Sequence, residues 1–211
     1  MKLFDLAHLL NNQSTVYPGK DKPVFQPAAY IDKDGYRETH LEFDSHLGTH
    51  IDAPAHMLHN GLTLDRMPVS AFSGKAFIIP VPEGMQKIDQ LFLLSFAEDV
   101  KGAEFVLFKT GWSKYWESQR YFEDFPTLTT DAVKWLLTYP LKGIGFDAIS
   151  ADPVESTDFP NHYLIFNKGL LIIENLKFPD ELTEASGEFT CLPLPFENAD
   201  GSPVRAVFSI Q

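Results

Sequence analysis

His46-Leu-Gly-Thr-His50-Ile-Asp52-Ala-Pro54-Ala-His56 places three imidazoles and one carboxylate within eleven residues. Imidazole nitrogens and carboxylate oxygens suit zinc or manganese, and no thiolate stands nearby to complete a closed structural zinc site. The pattern points to a catalytic ion with an open coordination position. Four of the seven histidines of the chain fall between His46 and His59, a clustering unlike scattered surface histidines. His59, beside Asn60 and Gly61, reads as a solvent-exposed turn residue.

Spacing selects the backbone that could gather these groups. On a helix, Asp52 would lie nearly opposite His50, and Gly48 and Pro54 would both weaken the helix. In an extended chain His46, Gly48, His50 and Asp52 all point the same way. Leu41 and Phe43 alternate with His40, Glu42 and Asp44 in the same register. The segment therefore reads as a strand that runs into a loop at Pro54. Gly48 would let the backbone pass close to the ion, and Pro54 would turn the chain so that His56 swings back.

Working outward, Thr15 to Phe25 is a turn-rich loop around Tyr17-Pro18-Gly19 and Pro23, whose aromatic reads by default as core. Ala76 to Val81 and Phe105 to Lys109 read as buried strands, the second leaving sharply at Gly111. Ile88 to Ala97 reads as a short amphipathic helix. Thr129 or Thr130 caps a helix that runs through Leu137 and ends before Pro140. Gly143 to Ile149 is a further strand, followed by a loop carrying Asp147, Asp152, Glu155 and Asp158, read as a solvated acidic face. A short helix covers His162 to Asn167, and the apolar run Leu170 to Ile173 delivers Glu174 to a strand end. Spacing alone leaves both Glu174 and His162 open between surface and functional roles. Val204 to Ile210 adds a last strand. Strands and helices alternate through the middle, which argues for a mixed α/β class.

The chain of 211 residues is long enough for one sizeable core, and a single domain over residues 1–211 is the expectation. Hydrophobic residues make up 44% and aromatics 13%, which excludes a disordered chain. A net charge of -12 opposes binding to nucleic acid or anionic lipid, so the expected partner is a small molecule. Cys191 is the only cysteine, so no disulfide forms within the chain, and a reducing cytoplasm is the simplest compartment. Asp5 and His8 interrupt the apolar N-terminus, which reads as a folded segment rather than a signal peptide. No stretch approaches the roughly 20 apolar residues needed to span a bilayer.

The cluster resembles the HxGTHxDxPxH signature of the metal-dependent cyclase-like hydrolases, which include bacterial kynurenine formamidase and isatin hydrolase. Glu174-Asn175-Leu176 after an apolar strand, with His162, is similar to that family's second metal-binding segment. The Tyr17-Pro18-Gly19 loop and Lys109-Thr110-Gly111-Trp112 also resemble family landmarks. The resemblance implies a swivelling β/β/α domain with a mixed β-sheet, assembled as homodimers or homotetramers. It further implies that His46, His50 and Asp52 bind a first divalent ion, zinc or manganese. Asp52 and Glu174 would bridge to a second ion ligated by His162, and His56 would carry protons. Tyr17 stands where formamidases commonly place a tryptophan against the substrate, and Lys20 stands where an acid often follows the Pro-Gly pair. The implied activity is hydrolysis of a small aromatic amide or lactam, as in an arylformamidase acting on N-formylkynurenine. A cyclase or dehydratase of a small carbonyl compound, and a non-catalytic metal-binding protein, are the alternatives.

Overall fold

The computed structural model describes residues 1–183 and 185–210. In chain order its strands are β1 (Lys2–Asp5), β2 (Val24–Ala29), β3 (Glu38–Glu42), β4 (His50–Asp52), β5 (Ser73–Pro80), β6 (Lys87–Ile88), β7 (Phe105–Lys109), β8 (Thr127–Leu128), β9 (Gly143–Phe146), β10 (Leu171–Glu174), β11 (Ser186–Thr190), β12 (Gly201–Pro203) and β13 (Val207–Ile210). The α-helices are α1 (Ile31–Asp34), α2 (Gln90–Leu93), α3 (Ala97–Lys101), α4 (Thr130–Leu136) and α5 (Pro160–Phe166).

Nine strands form one mixed sheet in the order β1-β13-β11-β5-β7-β9-β10-β4-β12. The central four, β5, β7, β9 and β10, are parallel. Helices α2 and α3 carry the chain from β5 to β7, α4 from β7 to β9, and α5 from β9 to β10. Both flanks of this parallel centre are antiparallel. The expected α/β class with a mixed sheet is therefore what the chain forms.

The central strands read as continuous apolar runs because both of their faces are covered. Alternate residues Ala76, Ile78, Phe105 and Leu107 join one core with Phe4, Ile51, Phe189 and Phe208. Their neighbours Phe77, Ile79, Val106 and Phe108 join a second core under the helices, with Leu93, Val133, Leu136 and Ile165. Thr129 caps α4 by accepting a hydrogen bond from the Ala132 N–H at 3.2 Å. No helix among the described residues is long and apolar enough to cross a membrane.

Several sequence expectations shift. Ile88 is not helical; it pairs with Leu128 in the short β6–β8 ladder, and Asp89 then caps α2 through the Phe92 N–H at 2.8 Å. The last strand starts at Val207 rather than Val204, because the Val204 N–H is committed to the Thr49 carbonyl. β3 does not continue into the ligand-bearing strand. It pairs with β2 in a separate, almost wholly exposed ribbon, and the chain turns between Glu42 and His50.

Candidate metal centre

The centre lies where the parallel strands end and β4 runs back against β10. In that antiparallel pair His50 stands opposite Glu174, and Asp52 stands opposite Ile172. Only His50 to Asp52 is strand, so the expected four-residue extended register fails at Gly48. That residue has φ +63°, a left-handed conformation that ends the strand and that glycine adopts without strain. Its carbonyl accepts a hydrogen bond from His50 Nδ1–H at 2.8 Å, fixing the tautomer and leaving Nε2 to face the cluster. Gly48 thus acts through its dihedral and its carbonyl, and a Cβ there would collide with the Leu10 side chain.

His46 sits in the turn before Gly48 and reaches the same point by folding back. Its Nδ1 lies 2.6 Å from Asp52 Oδ1, and its Nε2 lies 3.0 Å from Asp200 Oδ2. Asp52 Oδ1 is also 3.3 Å from His50 Nε2. Past Ala53, a turn of 3₁₀ helix over Pro54–His56 returns His56 to the cluster as expected, its ring 4.0 Å from that of His46.

On the far side α5 supplies His162 and β10 supplies Glu174. His162 Nε2 is 3.4 Å from Glu174 Oε1, and Glu174 Oε2 is 3.5 Å from His50 Nε2. Glu174 therefore spans two imidazoles, while Ala151 N–H donates to its Oε1 at 2.9 Å. Asp152 accepts from His162 Nδ1–H at 2.7 Å and from the backbone N–H groups of Asn161 and His162, both at 3.0 Å. This corrects the reading of the acidic loop as a solvated face. Asp147 and Asp152 are fully buried, and only Glu155 and Asp158 face solvent. Free N–H groups draw the two acids inward: those opening α5 for Asp152, and those of Thr110 and Gly111 for Asp147. Burial nevertheless pushes the Asp147 carboxyl up to about 6, against the hydrogen bonds from Thr110 and Gly111.

Burial acts on every group of the cluster, and the neighbouring charges override it at His46, His162 and Asp52 but not at His56. His46 is pushed up to about 10 by Asp52 and Asp200, and His162 to about 10 by Asp152 and Glu174, although burial alone would lower both. Burial would raise Asp52, but His50 and His46 hold it well below the usual carboxylate range. For His56 burial prevails over the pull of Asp52, and its pKa is lowered.

Donor atoms of His46, His50 and Asp52 lie within 4.8 Å of one another, as do those of Asp52, His162 and Glu174 and those of His46, His56 and Asp200. Asp52 belongs to two of these sets. Two buried carboxylates among imidazole nitrogens match a divalent cation in charge and in donor type. Cys191 stays in the core away from the site. The residues present therefore fit a divalent metal ion.

A cavity of about 460 Å³ opens over the cluster, lined on its apolar side by Tyr17, Phe43, Leu47, Met57, Ile149 and Phe159. Tyr17 is half-buried and faces this space, donating its hydroxyl to the Val154 carbonyl at 3.3 Å. Lys20 lies at the same cavity, exposed and 3.7 Å from Asp44. Trp112 instead packs, partly buried, with Tyr115 and Tyr121.

The Cyclase family model matches residues 4–153. The chain belongs to the Cyclase family. A kynurenine formamidase from Bacillus cereus is 32% identical over 205 residues, covering 96% of this chain and 95% of that one. Isatin hydrolase A from Labrenzia aggregata, solved with benzyl benzoate, gives a TM-score of 0.86 at 23% identity over 98% and 93% of the two chains, a likeness of fold alone. A protein described as a predicted metal-dependent hydrolase from Bacillus stearothermophilus gives 0.80 at 26% identity over 98% and 97%.

Within this Cyclase chain, His162, Glu174 and Asp200 lie beyond the matched segment 4–153, so their membership of the cluster rests on geometry. The sequence reading missed Asp200 and misplaced Asp152. Asp200 lies 154 residues from His46, and no periodicity links the two. The signal for Asp152 was its position before a helix that starts at Pro160 and carries His162.

Proposed function

We propose that the protein is a metal-dependent hydrolase that cleaves the C–N bond of a small aromatic amide, with N-formylkynurenine, and hence tryptophan catabolism, the first case to test. The observation that carries this reading is the convergence of His46, His50, Asp52, His162 and Glu174 beneath an apolar-walled cavity with His56 at its side. Kinship with a kynurenine formamidase over nearly the whole chain supports the formamide class.

In this reading His46, His50 and Asp52 would hold one ion, and Asp52, Glu174 and His162 would hold a second. Zinc is preferred to manganese because imidazole nitrogens make up the larger share of the donors. Such an ion, when bound, polarises a carbonyl and lowers the pKa of water toward about 7. His56, whose lowered pKa favours the neutral imidazole, accepts a proton during attack and returns it to the departing amine nitrogen. Tyr17 and Phe43 flank the flat ring of the substrate. A homodimer or homotetramer and a cytoplasmic location belong to the same reading, supported by the exposed β2–β3 ribbon and the lone buried Cys191.

Hydrolysis of N-formylkynurenine and simple aryl formamides, assayed with metal-stripped and zinc- or manganese-reconstituted protein in labelled water, tests this. The expected result is metal-dependent turnover with labelled oxygen in the released acid. Full activity after verified metal removal, or a dehydrated or cyclised product without label, overturns it.

A further inference from the structure

Asp200 lies immediately before β12, the edge strand beyond β4, and its Oδ2 faces two imidazoles at once. It is 3.0 Å from His46 Nε2 and 3.6 Å from His56 Nδ1, while Ser45 Oγ–H donates to its Oδ1 at 3.0 Å. Its backbone is also anchored, since the Asp200 carbonyl accepts from Ala53 N–H at 2.9 Å. The next residue completes the cradle: a Cβ on Gly201 would lie 2.4 to 2.9 Å from the His46 ring atoms. The ring of His46 thus rests on bare backbone, with its Nε2 toward Asp200 and its Nδ1 toward Asp52.

We propose that Asp200 is a positioning residue, holding His46 with Nδ1 turned into the metal centre and, by its charge beside His56 Nδ1, setting which nitrogen of His56 carries the proton. The inference rests on the hydrolase reading above. A ligating histidine commonly donates its other ring N–H to a carboxylate, which fixes both tautomer and ring orientation. Asp200 does this for His46. Its charge lies 3.6 Å from His56 Nδ1, too far for a hydrogen bond but near enough to favour the proton on Nδ1, which leaves Nε2 as the nitrogen that exchanges a proton. A single carboxylate therefore orients one imidazole of the centre by a hydrogen bond and biases the tautomer of another by its charge.

The test uses the zinc-loaded full chain, comparing D200A, D200N and G201A with the parent protein. D200A is expected to lower kcat on N-formylkynurenine by about tenfold or more, the loss typical of outer-shell partners. KM and zinc per chain at saturating zinc are expected to stay unchanged, and the hydrogen-bonded imidazole N–H resonance of His46 to disappear from nitrogen-15 spectra. D200N keeps an oxygen acceptor and should restore that resonance and most of kcat. G201A reaches the same ring from the other side with Asp200 intact, and should reproduce the loss in kcat even if D200A does not fold. Loss of one zinc per chain in D200A even at saturating zinc would make Asp200 a ligand, and equal loss of kcat in D200A and D200N would make its charge decisive; either result overturns positioning. So does unchanged kcat in D200A or G201A. If the parent protein hydrolyses no amide, the hydrolase reading fails by itself, and persistence of the His46 resonance in D200A separately overturns the positioning role.

Discussion

Glu174 and His50 face each other across the antiparallel β4–β10 pair, with Glu174 Oε2 3.5 Å from His50 Nε2. The other oxygen of Glu174 faces His162 at 3.4 Å, so one carboxylate joins the two halves of the centre. Its pKa is lowered because His162 and His50 prevail over burial and the repulsion of Asp52. Glu174→Gln keeps the shape and removes the charge. Its metal-to-protein ratio after dialysis is expected to fall below that of the parent, with affinity reduced by at least about tenfold. An unchanged ratio would contradict a ligand shared between two ions.

His56 is less buried than His50 or His162, its side chain 29% exposed beside the cavity. A proton carrier needs that access to substrate, whereas a ligand does not. His56→Ala is expected to reduce kcat by about 10²- to 10⁴-fold, the range for lost general acid–base catalysis. Metal content should not change. A parallel loss of metal would instead assign His56 to the coordination shell.

Asp152 holds His162 by its Nδ1–H and, through two backbone N–H groups, the first turn of α5. Asp152→Ala leaves those donors buried without an acceptor and frees the imidazole to rotate. Metal affinity is expected to drop by about 10- to 100-fold. Stability should fall by about 1–3 kcal/mol, the cost of leaving buried hydrogen-bonding groups unmatched. Zinc titration and urea denaturation of the same preparation read the two effects, and a variant with parental zinc affinity would detach Asp152 from the centre.

Much of this architecture was legible in the sequence because its signals are local. The apolar runs at Ala76, Phe105 and Leu171 mark central strands with two covered faces, and Thr129 marks a cap. The six residues expected from the signature and the resemblance to be ligands or proton carrier do lie together. Local patterning fails where tertiary contacts decide. The alternation at Leu41 and Phe43 does not lead into the strand of His50: Leu41 lies on an exposed ribbon, Phe43 lines the cavity, and the positive φ of Gly48 marks where the later strand begins. The acids after β9 look like a solvated run until the free N–H groups of α5 and of Thr110 and Gly111 turn two of them inward. Asp200 meets His46 only because β12 pairs with β4 at the sheet edge, a long-range pairing that no spacing reveals.

His8 carries a prediction about pH. It is buried, its ring stacked on Trp116 at 4.0 Å, and its Nε2 has no hydrogen-bond partner among the described residues. Burial, reinforced by Lys177, pushes its pKa down from 6.5 to about 4. The unfolded chain therefore binds a proton at His8 more readily than the folded one. The folded state keeps its full stability above pH 6.5 and loses it as pH falls toward 4. At about 1.4 kcal/mol per pKa unit the full effect is about 3 kcal/mol. His8→Phe retains the stack and cannot be protonated, and because Nε2 has no partner the change leaves no donor or acceptor at that position unmatched. Urea denaturation at pH 7 and pH 5 should show the parent losing more stability than His8→Phe over that interval. Equal losses in the two proteins would mean that His8 titrates no differently folded than unfolded, and that its burial against Trp116 does not govern the acid sensitivity of the chain.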